Sequence, residues 1–361
     1  MKLINDSLLI IESLVRAGAT IYIGYPITPA NYLYYYASRR FPKMLPAPDE
    51  ISTIQYMCGL ALTGHIPVTA TSFPGFALMV EGINMAYMME LPIIVILSQR
   101  LGPATGTATA GAQGDIFLLN GTISGGHPLP TFCLHDSIDA WLLSAKALEF
   151  AVTVRTPVVI LTSKEQTMTL KSFNINNLPQ IKPVKINYYE NEQPYLPYEY
   201  TETLVPPFLP VSQNKMQVRV TASTHDQKGI IQHTSDEAMN NTKRLEFKIY
   251  KHINNYIFYT HIKNNSNTLV ISYGVTANSA LEALKLSKTK FDILIIKTLL
   301  PITKKIYEII ENYSQIIVAE DNFNNQYARL LFSNNIPENV KVVGSIGKML
   351  SPTEILKKIE E

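Results

Sequence analysis

Short apolar runs alternate with stretches of helical periodicity over the first part of the chain. Strand candidates lie at residues 21–25, 68–71, 93–98 and 158–162, and helix candidates at residues 29–40, 50–64, 76–90 and 136–155. Continuously apolar strands that are separated by helices are typical of a parallel sheet covered on both faces. The pattern therefore predicts an α/β domain over residues 1–163.

The alternation fades over residues 164–266. Proline, tyrosine and asparagine are frequent there and the periodicity is weak. So long an irregular stretch is uncommon inside one compact domain, whereas its Tyr, Phe, Leu and Val content is too high for a disordered linker. We predict a long extended arm that lies over another surface of the protein.

Residues 267–361 return to the α/β pattern. Strands are predicted at residues 269–273, 291–296, 315–319 and 340–344, and helices at residues 277–286, 306–312 and 326–332. The last helix opens with a capping Ser351, a proline at the first helical position and Glu354 three residues after the cap. This indicates a second, smaller α/β domain, so the fold class is two parallel-sheet α/β domains joined by the arm.

Composition and charge narrow the class of function. The 361 residues are 46% hydrophobic and 17% charged, with a net charge of +2 and no basic stripe, so nucleic-acid binding has little electrostatic support. We expect no signal peptide and no membrane span, because the longest apolar runs are only strand-length. Two cysteines argue against a disulfide framework and favour the cytoplasm. They are also too few for a Cys₄ iron–sulfur cluster on this chain alone.

The clearest candidate for chemistry is the turn GYPITP at residues 24–29, directly after a predicted strand. Ligands of open α/β sheets gather at the carboxyl edge of the strands, although an ordinary strand–helix turn explains the same residues. Neither a Walker-type phosphate loop nor G-x-G-x-x-G occurs in the sequence. The seven histidines show no familiar metal spacing, and we predict no metal ligands on this chain.

Two charged groups belong to the same predicted edge. Asp49 and Glu50 open a helix, where capping is the usual role of a carboxylate. Arg100 follows a strand and precedes a Gly-rich loop; such an arginine is normally a surface ion-pair partner, yet its planar fork also suits a substrate carboxylate.

Many segments taken together resemble the α subunit of 2-oxoacid:ferredoxin oxidoreductases. The resemblance covers nearly the whole chain. It is carried by GYPITP (24–29), TSFPGF (71–76), ELP (90–92), the loop ending in QGD (102–115), GGH (125–127), the proline–tyrosine segments of the arm, SYG (272–274) and VAEDN (318–322).

The resemblance implies the fold, the cofactor and the site. It implies a thiamine-diphosphate pyrimidine-binding domain followed by a transketolase C-terminal-like domain, with Glu50 as the catalytic acid that bonds the pyrimidine ring nitrogen. The helix N-terminus favours ionised Glu50, whereas burial favours the neutral form. Thr28 and Arg100 match the positions that bind the substrate. Further cofactor contacts are implied for Tyr25, Pro26, Ile27 and Phe76.

What the chain lacks implies a partner. It has no G-D-G motif, so Mg²⁺, the cofactor diphosphate and the [4Fe–4S] cluster are expected on a separate β subunit. The implied reaction oxidatively decarboxylates a 2-oxoacid with coenzyme A as co-substrate and ferredoxin as electron acceptor. Ala110 falls where relatives that use 2-oxoglutarate often have lysine, which favours a substrate without a second carboxylate.

Two alternatives remain open from the sequence. Phe73, in place of a smaller family residue, and a short stretch between Thr28 and Glu50 favour a non-catalytic scaffold or regulatory paralogue. A thiamine enzyme of the dehydrogenase or transketolase type, without ferredoxin, is a weaker alternative.

Overall fold

The continuously apolar strands form the centre of a seven-stranded sheet. In the computed structural model, which describes residues 1–211 and 216–361, the strand order is β12-β6-β7-β5-β4-β2-β3. The strands are β2 (Ile21–Gly24), β3 (Met44–Pro46), β4 (Pro67–Thr71), β5 (Ile94–Gln99), β6 (Thr131–Cys133), β7 (Val158–Ser163) and β12 (Thr298–Leu300). All neighbouring pairs are parallel except β12 with β6.

Helices cover this sheet and complete its core. They are α1 (Asp6–Ala17), α2 (Asn31–Arg40), α3 (Glu50–Leu62), α4 (Phe73–Met88), the short α5 (Ile116–Asn120), α6 (Ser137–Val154) and the short α7 (Lys164–Met168). A separate two-stranded sheet pairs β1 (Lys2–Ile4) with β8 (Lys171–Phe173). Every residue of β4, β5 and β7 is buried, as expected for strands covered on both faces.

A second sheet of five strands follows, in the order β14-β13-β10-β11-β9. Its strands are β9 (Tyr259–Ile262), β10 (Thr268–Tyr273), β11 (Asp292–Ile296), β13 (Gln315–Glu320) and β14 (Val340–Gly344), with helices α9 (Thr276–Leu286), α10 (Lys304–Ile310), α11 (Gln326–Phe332) and α12 (Pro352–Glu360). The predicted capping box at Ser351 and Glu354 is present. Two α/β units with largely parallel sheets are therefore confirmed.

Both sheets end in an antiparallel strand that the sequence did not indicate. Strand β12 follows β11 closely in the chain but leaves the second sheet and pairs with β6 in the first. Strand β9 pairs with β11 at the edge of the second sheet. The division of the chain at residues 163 and 266 remains a prediction.

The arm is not extended throughout, which corrects the prediction for residues 164–266. It contains an 18-residue helix, α8 (Asp236–Ile253), as well as strand β9. The buried face of α8 carries Asn241, Arg244 and Lys248 among its apolar residues. The buried positions of α8 follow helical spacing, so its signal was present in the sequence but was set aside because proline and tyrosine dominate the arm as a whole. Residues 212–215 of the predicted arm lie outside the described part of the chain.

A buried carboxylate fixes α8 to the first domain. Glu90, just beyond α4, accepts hydrogen bonds from Arg244, and from Lys248 at 2.7 Å. All three side chains are 1% exposed or less. The two cations hold the pKa of Glu90 far below its usual range, against the opposing effect of burial. Among the described residues, no helix combines the length and apolar character needed to span a bilayer.

Candidate active site

Three adjacent parallel strands bring the predicted site residues to one edge. Strands β2, β4 and β5 are neighbours in the first sheet. Thr28 follows β2, Thr71 ends β4 and Arg100 follows β5 directly. Since the carboxyl ends of parallel strands share one edge, residues far apart in the sequence meet there.

Arg100 and Thr28 are in direct contact. Nη1 of Arg100 donates a hydrogen bond of 2.5 Å to the backbone carbonyl of Thr28. Arg100 is only 5% exposed, and its Nε has no hydrogen-bond partner among the described residues. Burial lowers the pKa of this guanidinium, and the nearby Asp115 carboxylate opposes that effect. The Thr28 hydroxyl accepts a hydrogen bond of 3.0 Å from Asn31.

Glu50 is the first residue of α3 and is largely buried, at 6% exposure. The helix is capped by Asp49, whose carboxylate accepts a hydrogen bond of 2.6 Å from the backbone N–H of Ser52. Capping is therefore the role of Asp49, which leaves the Glu50 carboxyl available. That carboxyl lies against Gly75 of α4, where an added Cβ would fall 2.3 Å from Oε1 of Glu50.

Burial is the largest influence on the pKa of the Glu50 carboxyl. It raises the pKa of this carboxyl and outweighs the hydrogen bond from the Glu50 backbone N–H; the nearby charge of Asp49 raises the pKa further. No side chain of the described residues is hydrogen bonded to the Glu50 carboxyl. A carboxyl with a raised pKa and spare hydrogen-bonding capacity is suited to exchanging a proton with a ligand.

A cavity of about 340 Å³ separates this edge from the second domain. Arg100, Phe73 and Asp115 line it from the first domain, and residues 321–324, Gln326 and Ile346 line it from the second. Asp115 is 5% exposed, and its Oδ2 has no hydrogen-bond partner among the described residues. Burial raises the pKa of Asp115 to about 7, although Gln99 and Arg100 act in the opposite direction.

Gln113 holds the loop that forms one wall of the cavity. Its side-chain N–H group donates a hydrogen bond of 2.9 Å to the carbonyl of Tyr273. Its Oε1 accepts hydrogen bonds from the Thr276 hydroxyl at 2.9 Å and from the Asp321 backbone N–H at 2.8 Å. Gln113 also lies close to Gly274, which has a φ of +56°. A Cβ added at Gly274 would fall 2.7 Å from Nε2 of Gln113.

The other predicted residues occupy different environments. Tyr25 and Pro26 are exposed and Ile27 is half-buried, so the GYPITP turn presents a surface. Phe76, by contrast, is completely buried in the core and is not part of that exposed surface. Neither Glu50 nor Thr28 is among the described residues lining the cavity, although Arg100 contacts Thr28 and also lines it.

The Gly-rich loop after Arg100 could, from the sequence, either wrap a ligand or simply turn, but the contribution of the second domain to this site was not anticipated. The QGD and VAEDN segments were recognised only as points of resemblance. The structure joins them, because the Gln113 backbone N–H donates a hydrogen bond of 2.8 Å to the carbonyl of Asp321. His135, Asp136 and Asp139 bring their ligand atoms within 4.8 Å of one another. That this chain has no metal ligands stays a prediction of the sequence.

The protein belongs to the class of α/β proteins that have two domains, with a cavity lined by polar and charged side chains where the domains meet. A solved structure of 2-oxoglutarate:ferredoxin oxidoreductase from Magnetococcus marinus, with 2-oxoglutarate, coenzyme A and succinyl-CoA bound, has this fold. The TM-score is 0.90 at 23% identity, over 99% of this chain and 64% of that chain. A split-gene transketolase matches with a TM-score of 0.57 at 14% identity, over 98% of this chain and 95% of that chain.

Sequence comparison gives the family. The family model described as "Pyruvate flavodoxin/ferredoxin oxidoreductase, thiamine diP-bdg" matches residues 12–244. The chain therefore belongs to this family, as the resemblance indicated.

Named relatives agree with this assignment. The 2-oxoglutarate synthase subunit KorA of Archaeoglobus fulgidus is 32% identical over 45% of this chain and 49% of its own length. The subunit of the same name from Methanocaldococcus jannaschii is 27% identical over 75% of this chain and 74% of its own. The 2-oxoacid:ferredoxin oxidoreductase subunit alpha of Saccharolobus solfataricus is 32% identical over 58% of this chain and 33% of its own length. The chain thus matches about half of the first relative and a third of the last.

Proposed function

We propose that this chain is the α subunit of a thiamine-diphosphate-dependent 2-oxoacid:ferredoxin oxidoreductase. The observation that carries the proposal is the Glu50 carboxyl, which is buried beside Gly75 with a raised pKa and no side-chain partner. A purely structural glutamate at this position would be expected to cap the helix, but Asp49 already does so.

The residues present fit the pyrimidine side of the cofactor. Glu50 offers a carboxyl that holds a proton more readily than an exposed glutamate, so it can donate that proton to a ring nitrogen and take it back. Tyr25, Pro26 and Ile27, after the neighbouring strand β2, are exposed or half-buried and would contact the cofactor. When bound, thiamine diphosphate supplies the carbanion-stabilising chemistry of decarboxylation.

Arg100 and Thr28 would bind the 2-oxoacid. The Arg100 guanidinium is anchored through Nη1 to the Thr28 carbonyl and lines the cavity, where its planar fork suits a carboxylate. Arg100 is the one cationic side chain among the described residues lining the cavity. A single cation supports a substrate with one carboxylate, such as pyruvate or 2-oxobutyrate, although several relatives carry 2-oxoglutarate in their names.

The proposal includes a β subunit that supplies Mg²⁺ and a [4Fe–4S] cluster, coenzyme A as co-substrate and ferredoxin as electron acceptor. The α-subunit names of the relatives support a partner chain. Cys58 and Cys133 are unpaired and buried, which supports a reducing, cytoplasmic location.

The test is reduction of ferredoxin or a dye by this chain together with its β subunit. Pyruvate, 2-oxobutyrate and 2-oxoglutarate are compared in the presence of coenzyme A. We expect turnover with at least one of them, and a higher kcat/KM for the monocarboxylates. Glu50→Gln should lower kcat by roughly 10²–10⁴-fold, because an amide cannot exchange the proton.

Glu81→Gln is the matched control, since Glu81 is an exposed carboxylate on α4. It should leave the rate unchanged. A complex that assembles and binds the cofactor yet consumes none of the 2-oxoacids would make this chain a non-catalytic scaffold. A preference for 2-oxoglutarate would contradict only the substrate assignment.

A further inference from the structure

A histidine and two carboxylates meet at the start of α6. None of them belongs to the proposed substrate site around Arg100. His135 follows β6, Asp136 caps α6 and Asp139 lies in its first turn. Their ligand atoms, one from each side chain, lie within 4.8 Å of one another. His135 is 7% exposed, and neither of its ring nitrogens has a hydrogen-bond partner among the described residues.

The distances in this cluster are long for a hydrogen-bonded ion pair, although both lie within ion-pair range. Nδ1 of His135 lies 3.4 Å from Oδ2 of Asp136 and 3.6 Å from Oδ2 of Asp139. An imidazolium held by two carboxylates would approach them to about 2.7–2.9 Å. Two ligand atoms on a tetrahedral Zn²⁺, with bonds of about 2.0–2.1 Å, are about 3.4 Å apart. The two distances from His135 therefore match neighbouring ligands of a metal ion, and the third pair of ligand atoms lies within 4.8 Å.

Hydrogen bonds to the Oδ1 atoms orient both carboxylates so that their Oδ2 atoms face His135. Oδ1 of Asp136 accepts a hydrogen bond of 2.8 Å from the backbone N–H of Asp139. Oδ1 of Asp139 accepts one of 2.7 Å from Lys297. Oδ2 of Asp139 also accepts a longer hydrogen bond, of 3.3 Å, from the His135 backbone N–H. These contacts orient both carboxylates, as outer partners do around metal ligands.

Charge also favours a cation. The two carboxylates carry two negative charges against the single positive charge of Lys297, and a neutral imidazole adds none. Asp136 is 43% exposed, so an ion has access from solvent and a fourth position remains open to water. Lys297 weakens the attraction without removing it, because its ammonium contacts only Oδ1 of Asp139.

We propose that His135, Asp136 and Asp139 form a binding site for one Zn²⁺-type dication. The site is independent of the proposed catalytic function. It lies where the first domain meets the second: the His135 carbonyl accepts a hydrogen bond of 3.4 Å from Asn278 of α9, and Lys297 lies between β11 and β12. A bound ion therefore stabilises the junction of the two domains.

The test uses the full chain, stripped with a chelator and titrated with Zn²⁺, and separately with Co²⁺. We expect one ion per chain by calorimetry, a tetrahedral Co²⁺ absorption spectrum and a rise in Tm. His135→Ala should weaken binding at least ten-fold, a loss reported even for groups that only support a metal ligand. Asp136→Asn, which retains a good helix cap, should weaken it similarly.

Two further variants separate a metal site from an ion-pair network. Lys297→Met removes the competing ammonium, so Zn²⁺ should bind more tightly; in a plain ion-pair network the same change would create no affinity for metal. His127→Ala is the matched control, because His127 lies 3.7 Å from a single carboxylate, that of Glu246. It should leave binding unchanged. Absence of one-to-one binding, or equal affinity in His135→Ala and wild type, overturns the proposal.

Discussion

At the residue scale, a glycine determines where the proposed catalytic carboxyl lies. Gly75 sits in the first turns of α4, and an added Cβ would fall 2.1 Å from Oγ1 of Thr71 and 2.3 Å from Oε1 of Glu50. Neither side chain can remain in place beside such a methyl group. The glycine thus costs helix propensity but permits the close approach of Glu50.

Gly75→Ala should displace Glu50 and lower kcat with a 2-oxoacid, while most of the fold persists. The matched control is Gly59→Ala in α3, where an added Cβ has nothing within 4 Å. That control should keep its activity and gain up to about 1 kcal/mol of stability, because alanine favours the helix. Steady-state kinetics and thermal unfolding of both variants provide the check. Equal activity in Gly75→Ala and wild type would contradict the placement of Glu50.

Asp115 makes stability depend on pH in a defined direction. Its folded-state pKa of about 7 lies above its ordinary value of 3.8. Ionisation of this buried carboxyl therefore opposes folding, with a cost that is absent below pH 3.8 and complete only above about pH 7. The upper limit of that cost is roughly 4 kcal/mol, since each pKa unit corresponds to about 1.4 kcal/mol.

Asp115→Asn removes this cost, so the variant should be more stable than wild type at pH 8.5 and equally stable at pH 3.5. Denaturant unfolding at the two pH values measures the difference. A variant that is destabilised more at pH 8.5 than at pH 3.5 would show that Asp115 is ionised and paired with Arg100.

At the element scale, α8 shows how a helix can be fixed by charge as well as by apolar packing. Its Arg244 and Lys248 both bond to Glu90, and Arg244 also donates a hydrogen bond of 2.6 Å to the carbonyl of Leu204 in the arm. Lys248 donates a further hydrogen bond of 2.8 Å to the carbonyl of Arg155. Glu90 thus anchors the helix and, through it, part of the arm.

Glu90→Gln should destabilise the protein by about 3–5 kcal/mol, because it leaves two buried cations without their carboxylate. We expect proteolysis within α8 and the adjoining arm before the rest of the first domain is cleaved. Denaturant unfolding and limited proteolysis test this, with the exposed Glu81→Gln as the control that should behave like wild type. A loss below 1 kcal/mol would mean that apolar contacts alone hold α8.

At the scale of the whole molecule, the two α/β domains are joined by polar contacts around the cavity. Gln326 of α11 supplements Gln113: its Oε1 accepts a hydrogen bond of 3.1 Å from the Phe117 backbone N–H, and its Nε2 donates one of 2.9 Å to the carbonyl of Gly114. The second domain thereby positions the loop that runs from Arg100 to Asp115.

Gln113→Met should release this loop while nearly preserving side-chain volume. We expect faster amide hydrogen exchange over residues 102–115 and a raised KM for the 2-oxoacid. The lost bonds should cost roughly 1–3 kcal/mol of stability, the penalty of a buried unsatisfied group. Gln55→Met, at an exposed position of α3, is the control. Unchanged loop exchange in Gln113→Met would place the restraint in other contacts.

The sequence by itself determined the two α/β units, most strand and helix positions, the capped last helix and the family. The units and elements follow from local patterns, because buried parallel strands and capped helices leave continuous apolar runs and fixed residue spacings. The family follows from the resemblance of many segments in order. The sequence also predicted that Thr28 and Arg100 share one edge of the sheet, and one hydrogen bond joins them there; their role in binding substrate stays a prediction.

Only the tertiary structure decided which residues surround the candidate site. The contacts of Gln113 with Tyr273 and Asp321 span about half of the chain, and no local pattern encodes them. The place where α8 packs was also decided by Glu90, a partner distant in the sequence. The raised pKa of Glu50 likewise reflects burial, which arises only when α3 packs against α4. Long-range contacts and burial are properties of the folded chain, and they decide the chemistry of its side chains.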